Sequence, residues 1–167
     1  EEVNALSDSS TYDQYRNITF DACTGAEIEW NILNLVSKVT PSGGSTAKYT
    51  FLADGTKAKV SSPFGTYYYF GNMVFCSPTT SSPVFESMAV AEGRIVATAS
   101  GNEARYFITD HLGNIRTVLK ADGTVIAEND FYPFGKKIPT IAPLDNTNRH
   151  TFSGKEDQSM TPAESPY

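Results

Sequence analysis

Few of the 167 residues combine a reactive type with a spacing that could do chemistry. The two histidines, His111 and His150, are the natural general bases at neutral pH. A Ser–His mechanism needs a positioned nucleophile, the base and an orienting carboxylate. His111 stands in Asp110-His111-Leu112-Gly113, where a turn explains it without a catalytic role, and His150 stands beside Arg149 at the start of an expected strand. The sequence has no G-x-S-x-G elbow, no His-Glu-x-x-His pair, no C-x-x-C and no phosphate-cradling glycine loop. Asp13, Asp21, Asp54, Asp110, Asp122, Asp130, Asp145 and Asp157 fall mostly at turns, where bonding to the backbone accounts for them. Asp54-x-Thr56 and Asp122-x-Thr124 read as hairpin turns, because the dense alternating oxygen ligands of a calcium loop are missing. Cys23 and Cys76 lie far apart without metal-ligand spacing, which leaves a disulfide or two separate small side chains both open. The expectation is a chain with no catalytic residue, no metal and no cofactor, and therefore not an enzyme.

Ligand contact is the other chemistry within reach. Tyr67, Tyr68 and Tyr69, followed by Phe70, could present rings to a carbohydrate. The same run is also an ordinary strand whose rings alternate between core and surface, and the enrichment of aromatics in strands favours that reading.

The composition bounds the partners. Net charge is −6 with a pI near 4.8, and the densest basic spot is Lys136-Lys137, so phosphate neutralisation and nucleic-acid binding are not expected. No apolar run approaches the length of a membrane-spanning helix, and no charged-then-apolar leader stands at Glu1. Forty per cent hydrophobic residues with nine Tyr, ten Phe and twelve Gly suit a β-rich domain better than a helical bundle. The length suits one domain.

The elements are clearest between Arg105 and Gly135. Three runs rich in β-branched and aromatic residues, Tyr106–Thr109, Ile115–Leu119 and Thr124–Tyr132, are separated by Leu112-Gly113-Asn114 and Asp122-Gly123 and closed by Pro133-Phe134-Gly135. Asp-Gly predicts a primed two-residue turn, and hence an antiparallel pair around Asp122 and Gly123. Similar signals recur upstream. Ala53-Asp54-Gly55-Thr56 with Pro63-Phe64-Gly65 returns as Ala121-Asp122-Gly123-Thr124 with Pro133-Phe134-Gly135, and Gly71-Asn72 returns as Gly113-Asn114. A turn signature repeated between variable strands marks an array of hairpins that bury their faces against one another. Further strands are predicted at Ile28–Trp30, Leu35–Val39 around an Asn31/Asn34 turn, Lys48–Leu52, Lys57–Ser61, Tyr67–Phe70, Met73–Cys76, Val84–Val90, Arg94–Ala99 and His150–Phe152. The resulting fold class is all-β, antiparallel hairpin repeats forming a curved sheet or part of a β shell. Residues 1–15 are expected as a polar N-terminal segment, 16–156 as the β domain and 157–167 as a loop.

Tyr106-Phe-Ile-Thr-Asp-His-Leu-Gly-Asn-Ile-Arg116, Tyr132-Pro-Phe-Gly135 and Arg149-His-Thr-Phe-Ser-Gly-Lys-Glu156 resemble the core of the YD-repeat (RHS-repeat) proteins, in the form familiar from Bacteroidetes-type sequences. Phe20-Asp-Ala-Cys-Thr-Gly25 is similar to a degenerate copy of the repeat unit. The resemblance implies a β shell that can enclose a variable C-terminal effector, often a toxin, and an extracellular or cell-surface location. It implies neighbouring repeats as partners. The chain stops at Glu164-Ser-Pro-Tyr167, before the self-cleaving aspartyl motif expected next, so no cleavage residue carries over and a structural shell piece of a larger protein is expected. A surface-glycan-binding or adhesion module is the alternative. Open sheet edges are expected either to be covered by the termini or to pair with a second copy as a homodimer.

Overall fold

The computed structural model describes residues 9–78, 82–133, 135, 137–138 and 148–156. The described residues are nearly all antiparallel β, in agreement with the sequence. They divide into two compact units, the first comprising Glu1–Phe70 with Cys76–Val84, the second Gly71–Phe75 with Phe85–Tyr167.

The first unit contains β1 (Thr11–Tyr12), β2 (Ile18–Asp21), β3 (Ala26–Trp30), β4 (Val36–Thr40), β5 (Ala47–Phe51), β6 (Lys57–Ser62) and β7 (Gly65–Phe70). Each strand pairs antiparallel with the next, in registers such as Phe20 with Glu27, Ile28 with Val39, Tyr49 with Val60 and Val60 with Tyr67. In the sequence Ile28, Ile32, Leu35, Val36 and Val39 also fit one face of a helix; the observed strands decide against it. Asn31 and Asn34 are poor helix-interior residues, and here they shape a turn. Order begins before residue 16: β1 pairs with β2 through Thr11 and Phe20. Little of this unit is dry. Ala26 and Ala47 are buried, whereas Leu52 and Phe64 are more than half exposed and Ile32 almost wholly so.

β8 (Met73–Ser77) falls across the boundary between the units. The second unit continues with β9 (Val84–Val90), β10 (Gly93–Thr98), β11 (Gly101–Thr109), β12 (Ile115–Lys120) and β13 (Val125–Glu128), an antiparallel meander in chain order from β9 to β13. Ile115, Val118, Ile126 and Ala127 form its core with Phe107 packed against them. The expected strand Thr124–Tyr132 is interrupted at Asn129, whose backbone N–H bonds to the Arg116 carbonyl and whose side-chain amide bonds to the Ile115 carbonyl. Beyond it β14 (Asp130–Phe131) pairs with β15 (Lys137–Ile138) in a small separate sheet. The run His150–Phe152, expected as a strand, gives only a bridge between His150 and Glu156 and a single 3-10 turn at Phe152–Gly154. Ser153 and Gly154 take left-handed φ values of 50° and 64° there, which do not continue an extended strand. The predicted C-terminal loop, 157–167, lies outside the described residues.

Five connections share one backbone turn: 13–17, 31–35, 52–56, 110–114 and 120–124. In each, the first residue's N–H bonds to the fifth carbonyl and the fourth N–H bonds back to the first carbonyl. The fourth residue is left-handed in every case: Arg16, Asn34, Gly55, Gly113 and Gly123 have φ between 55° and 86°. Each is accompanied by a register shift in the flanking pair. This is a type I turn followed by a glycine-type bulge, which the right-handed strand twist also accommodates. The primed turn expected at Asp122-Gly123 is therefore corrected. Of the two residues only Gly123 has positive φ, while the Asp122 carboxylate accepts the Thr124 N–H at 2.9 Å and holds an ordinary turn conformation. Asp54-Gly55 does the same, with Thr56 donating at 2.8 Å.

Candidate functional site

The three sequence elements that carry the family resemblance are far apart in the chain and meet in the second unit. In Asp110-His111-Leu112-Gly113-Asn114 the Asp110 carboxylate accepts the N–H groups of Leu112 and Asn114 and the Asn114 side-chain amide, at 2.8–3.0 Å. These bonds, led by the one from the Asn114 side chain, hold the Asp110 carboxyl below its ordinary range. His111 is a residue of this turn. Asn114 is buried, and its Oδ1 accepts the N–H of Ser153 at 2.8 Å. The Ile115 N–H bonds to the Thr151 carbonyl at 2.9 Å. Gly135, from Pro133-Phe134-Gly135, has φ +93° and lies so close to the Phe152 ring that a Cβ would sit 2.8 Å from it. Phe152 in turn meets the edge of Phe131 at 5.5 Å between ring centroids. The segment 148–156 thus crosses the start of β12 as a strap.

Next to the strap lies a polar cluster that sequence reasoning missed, with Ser87, Arg94 and Arg105 buried. Arg94 on β10 stands directly opposite Arg105 on β11, and Arg105 opposite Lys120 on β12, so three cations share one row. Like charges directly opposite destabilise a sheet unless countered. Glu103 counters two of them: it bonds to Arg105 Nε at 3.2 Å and to Lys120 Nζ at 2.9 Å. The Lys120 bond, then the Arg105 bond, holds its carboxyl below the ordinary range. Arg94 donates from Nε and its NH2 group to the Ser87 Oγ at 3.3 and 2.7 Å, and Ser87 donates to Glu86 at 2.5 Å. Glu86 also meets Arg149 of the strap at 3.3 Å, and Arg149 pairs with Glu156. His150 completes the group, its Nε2 being 3.4 Å from an Arg94 nitrogen. Arginine can only donate, so Nε2 accepts and the ring is neutral with its proton on Nδ1. Burial first, and Arg94 second, lowers the His150 pKa from 6.5 to about 4.

A cleft of about 500 Å³ opens beside this cluster, lined by Glu86, Val96, Ala97, Thr98, Glu103, Arg105 and Lys120. Ser87 is not an activated nucleophile in this arrangement. Its proton is committed to Glu86 and its lone pairs face a guanidinium, which lowers its basicity; the imidazole addresses Arg94. Among the described residues no group of His, Cys, Asp and Glu has the geometry of a metal site. The network reads as a structural lock between strap and sheet. No helix among the described residues is long and apolar enough to cross a membrane.

The remaining predicted positions are distributed over both units. Tyr67, Tyr68 and Tyr69 on β7 are half-buried. Tyr67 is registered with Val60 and Tyr68 with Lys59, so successive rings leave opposite faces and the three do not form one platform. The ammonium groups of Lys59 and Lys57 stand over Tyr68 and Tyr69 at 5.6 and 4.6 Å. Asn72 has a positional role: its carbonyl accepts the Ala89 N–H at 2.8 Å and its side chain donates to the Ala89 carbonyl at 3.1 Å, while Gly71 takes φ +60°. Cys23 is exposed, Cys76 is half-buried, and no disulfide joins them. Arg94 opens the expected run Arg94–Ala99 and Arg105 directly precedes Tyr106–Thr109, but spacing along the chain gives no sign that the two meet.

No protein-family model matches the sequence, and no curated protein sequence does. Solved structures do resemble it. The crystal structure of TcdB2-TccC3-Cdc42 superposes with a TM-score of 0.73 at 19% identity, covering 87% of this chain and 8% of that one. For TcdB2-TccC3-TEV the TM-score is 0.72 at 18% identity over 89% of this chain and 8% of that one. The Photorhabdus luminescens Tc holotoxin pore gives 0.68 at 18% identity over 89% and 8%. The chain therefore spans about a twelfth of these chains, and what it shares with them is the fold, all-β and RHS-repeat-like.

Proposed function

We propose that this chain is a structural segment of a β shell in a larger YD-repeat protein of the Bacteroidetes-type form, and that the complete protein is extracellular or surface-associated and encloses a C-terminal effector. The observation that supports this most is the convergence of Asn114, Gly135 and Ser153, which gives the family-like motifs a role in packing hairpins together. The thin core of the first unit agrees, because hairpins stacked in an array complete their burial against neighbours. The segment is not an enzyme: its polar cluster consumes its reactive groups in mutual hydrogen bonds. Its partners are the neighbouring repeats and the enclosed effector.

The test is expression of the full-length protein with limited proteolysis. A C-terminal polypeptide that resists protease while the shell is intact, and becomes digestible after mild denaturation, supports the reading. A C-terminal region digested at the same rate in both conditions overturns it. Tyr67→Ala, Tyr68→Ala and Tyr69→Ala are expected to lower the melting temperature without abolishing any glycan binding. A specific glycan interaction lost in one variant at unchanged stability would replace the shell by an adhesion module.

A further inference from the structure

The strap and the sheet beneath it are held together by groups that lose their complementarity in acid. On the strap, Arg149, His150 and Glu156 face the cluster. On β9 the facing groups are Glu86 and Ser87, on β10 Arg94, and beyond them on β11 and β12 stand Arg105, Glu103 and Lys120. With His150 neutral, four cations (Arg94, Arg105, Lys120, Arg149) face three carboxylates (Glu86, Glu103, Glu156). An imidazolium would add a fifth cation against Arg94, and Nε2 would lose the lone pair that receives the arginine N–H. The strap is also attached by the Arg149–Glu86 ion pair. Its attachments without an ionisable group are the Asn114–Ser153 and Ile115–Thr151 hydrogen bonds and the Phe152 contact with Gly135 and Phe131.

We propose that residues 148–156 form an acid-releasable strap: protonation of His150 against Arg94 and Arg149 detaches it from β9–β12 while the sheet stays folded. The direction follows from linkage. The docked state disfavours the proton, so the undocked ring, at 6.5, binds it first and docking weakens as pH falls from about 6.5 toward about 4. The ceiling on the docking equilibrium is roughly 300-fold, reduced by the partial exposure of the ring. Full docking holds above about pH 6.5.

Amide hydrogen exchange of the purified chain, corrected for the intrinsic pH dependence of exchange, tests this. Between pH 7 and pH 4 the Ile115 and Ser153 amides, which donate across the contact between strap and sheet, should lose protection by about tenfold or more relative to Val60 and Phe107. His150→Gln, which keeps a neutral polar side chain and leaves Glu86 and Glu156 in place, should remove most of that loss. Its amide spectrum at pH 7 should match that of the parent. Carbon-13 titration of His150 in the parent protein gives a second readout, expected well below 6.5. Retained protection down to pH 4, simultaneous loss at Val60 and Phe107, an identical pH profile in the variant, or an unshifted His150 would each overturn the proposal.

Discussion

Asn114 and Ser153 are 39 residues apart in sequence, yet the side-chain oxygen of the first takes the backbone N–H of the second at 2.8 Å. The same side chain donates to Asp110 at 2.8 Å, so one buried amide closes a turn and anchors the strap at once. Asn114→Ala should cost about 2–4 kcal/mol, since it removes two hydrogen bonds and leaves a donor without its acceptor in a dry place. Asn17→Ala removes the corresponding bond to Asp13, at 3.0 Å, and an exposed one to Asn34, at 3.1 Å, from a less buried turn and should cost about 1 kcal/mol. Urea denaturation of the two variants measures the difference, and equal losses would mean that the strap contributes nothing through Asn114.

Gly93 and Gly123 separate two reasons for a glycine. A Cβ on Gly93 would lie 2.0 Å from the Arg105 carbonyl oxygen, a backbone atom that cannot rotate away. Gly93→Ala should therefore cost more than about 3 kcal/mol and shift the β10–β11 pairing. At Gly123, φ is +84° and nothing lies within 4 Å, so Gly123→Ala carries the conformational cost alone, about 1 kcal/mol. Thermal melts of both variants should fall in that order by a clear margin.

The positions of strands and turns were legible because each turn carries its own chemistry. Aspartate or asparagine supplies the carboxyl or amide oxygen and glycine the left-handed residue, so Asp54-Gly55 and Asp122-Gly123 mark the hairpins without any tertiary information. The turn type was not legible, since Asp-Gly suits both a primed turn and a type I turn with a bulge, and the choice rests on the φ of Asp122. One copy of the turn, 13–17, was hidden because Arg16 occupies the left-handed position where three copies have glycine, whereas the Asn31/Asn34 turn was legible from its asparagines. The polar cluster was out of reach because its members come from 86 to 156 and meet only through strand order. Spacing along the chain placed His150 at a strand start and could not place it beside Arg94.

Four turn aspartates, Asp13, Asp54, Asp110 and Asp122, have carboxyl pKa values lowered by hydrogen bonds from the turns they cap. A lowered folded-state pKa gives stability that is complete above the unfolded value near 3.8 and fades as pH falls through the lowered values. An acid limb below about pH 4 is therefore expected, distinct from the strap transition above it. Asp110→Asn should flatten this limb, because the amide oxygen still accepts backbone N–H groups but no longer titrates. Denaturant titrations between pH 2 and pH 5 check it. A limb of unchanged steepness in Asp110→Asn would assign the acid sensitivity elsewhere.

Arg16 and Asn34 supply the remaining prediction. Both hold a backbone conformation, φ +67° and +55°, that side chains with a Cβ adopt reluctantly, and three copies of the same turn use glycine there. Arg16→Gly should stabilise the protein by about 0.5–1 kcal/mol, because the relief of the left-handed penalty exceeds the added freedom of the unfolded chain. Asn34→Gly should not. Asparagine tolerates the left-handed region better, and its Oδ1 accepts a hydrogen bond from Asn17 at 3.1 Å that glycine would delete. Melting temperatures should therefore rise for Arg16→Gly and stay level or fall for Asn34→Gly. The opposite order would show that the turn at 13–17 is held by contacts of the Arg16 side chain and not by the backbone geometry it shares with Gly113.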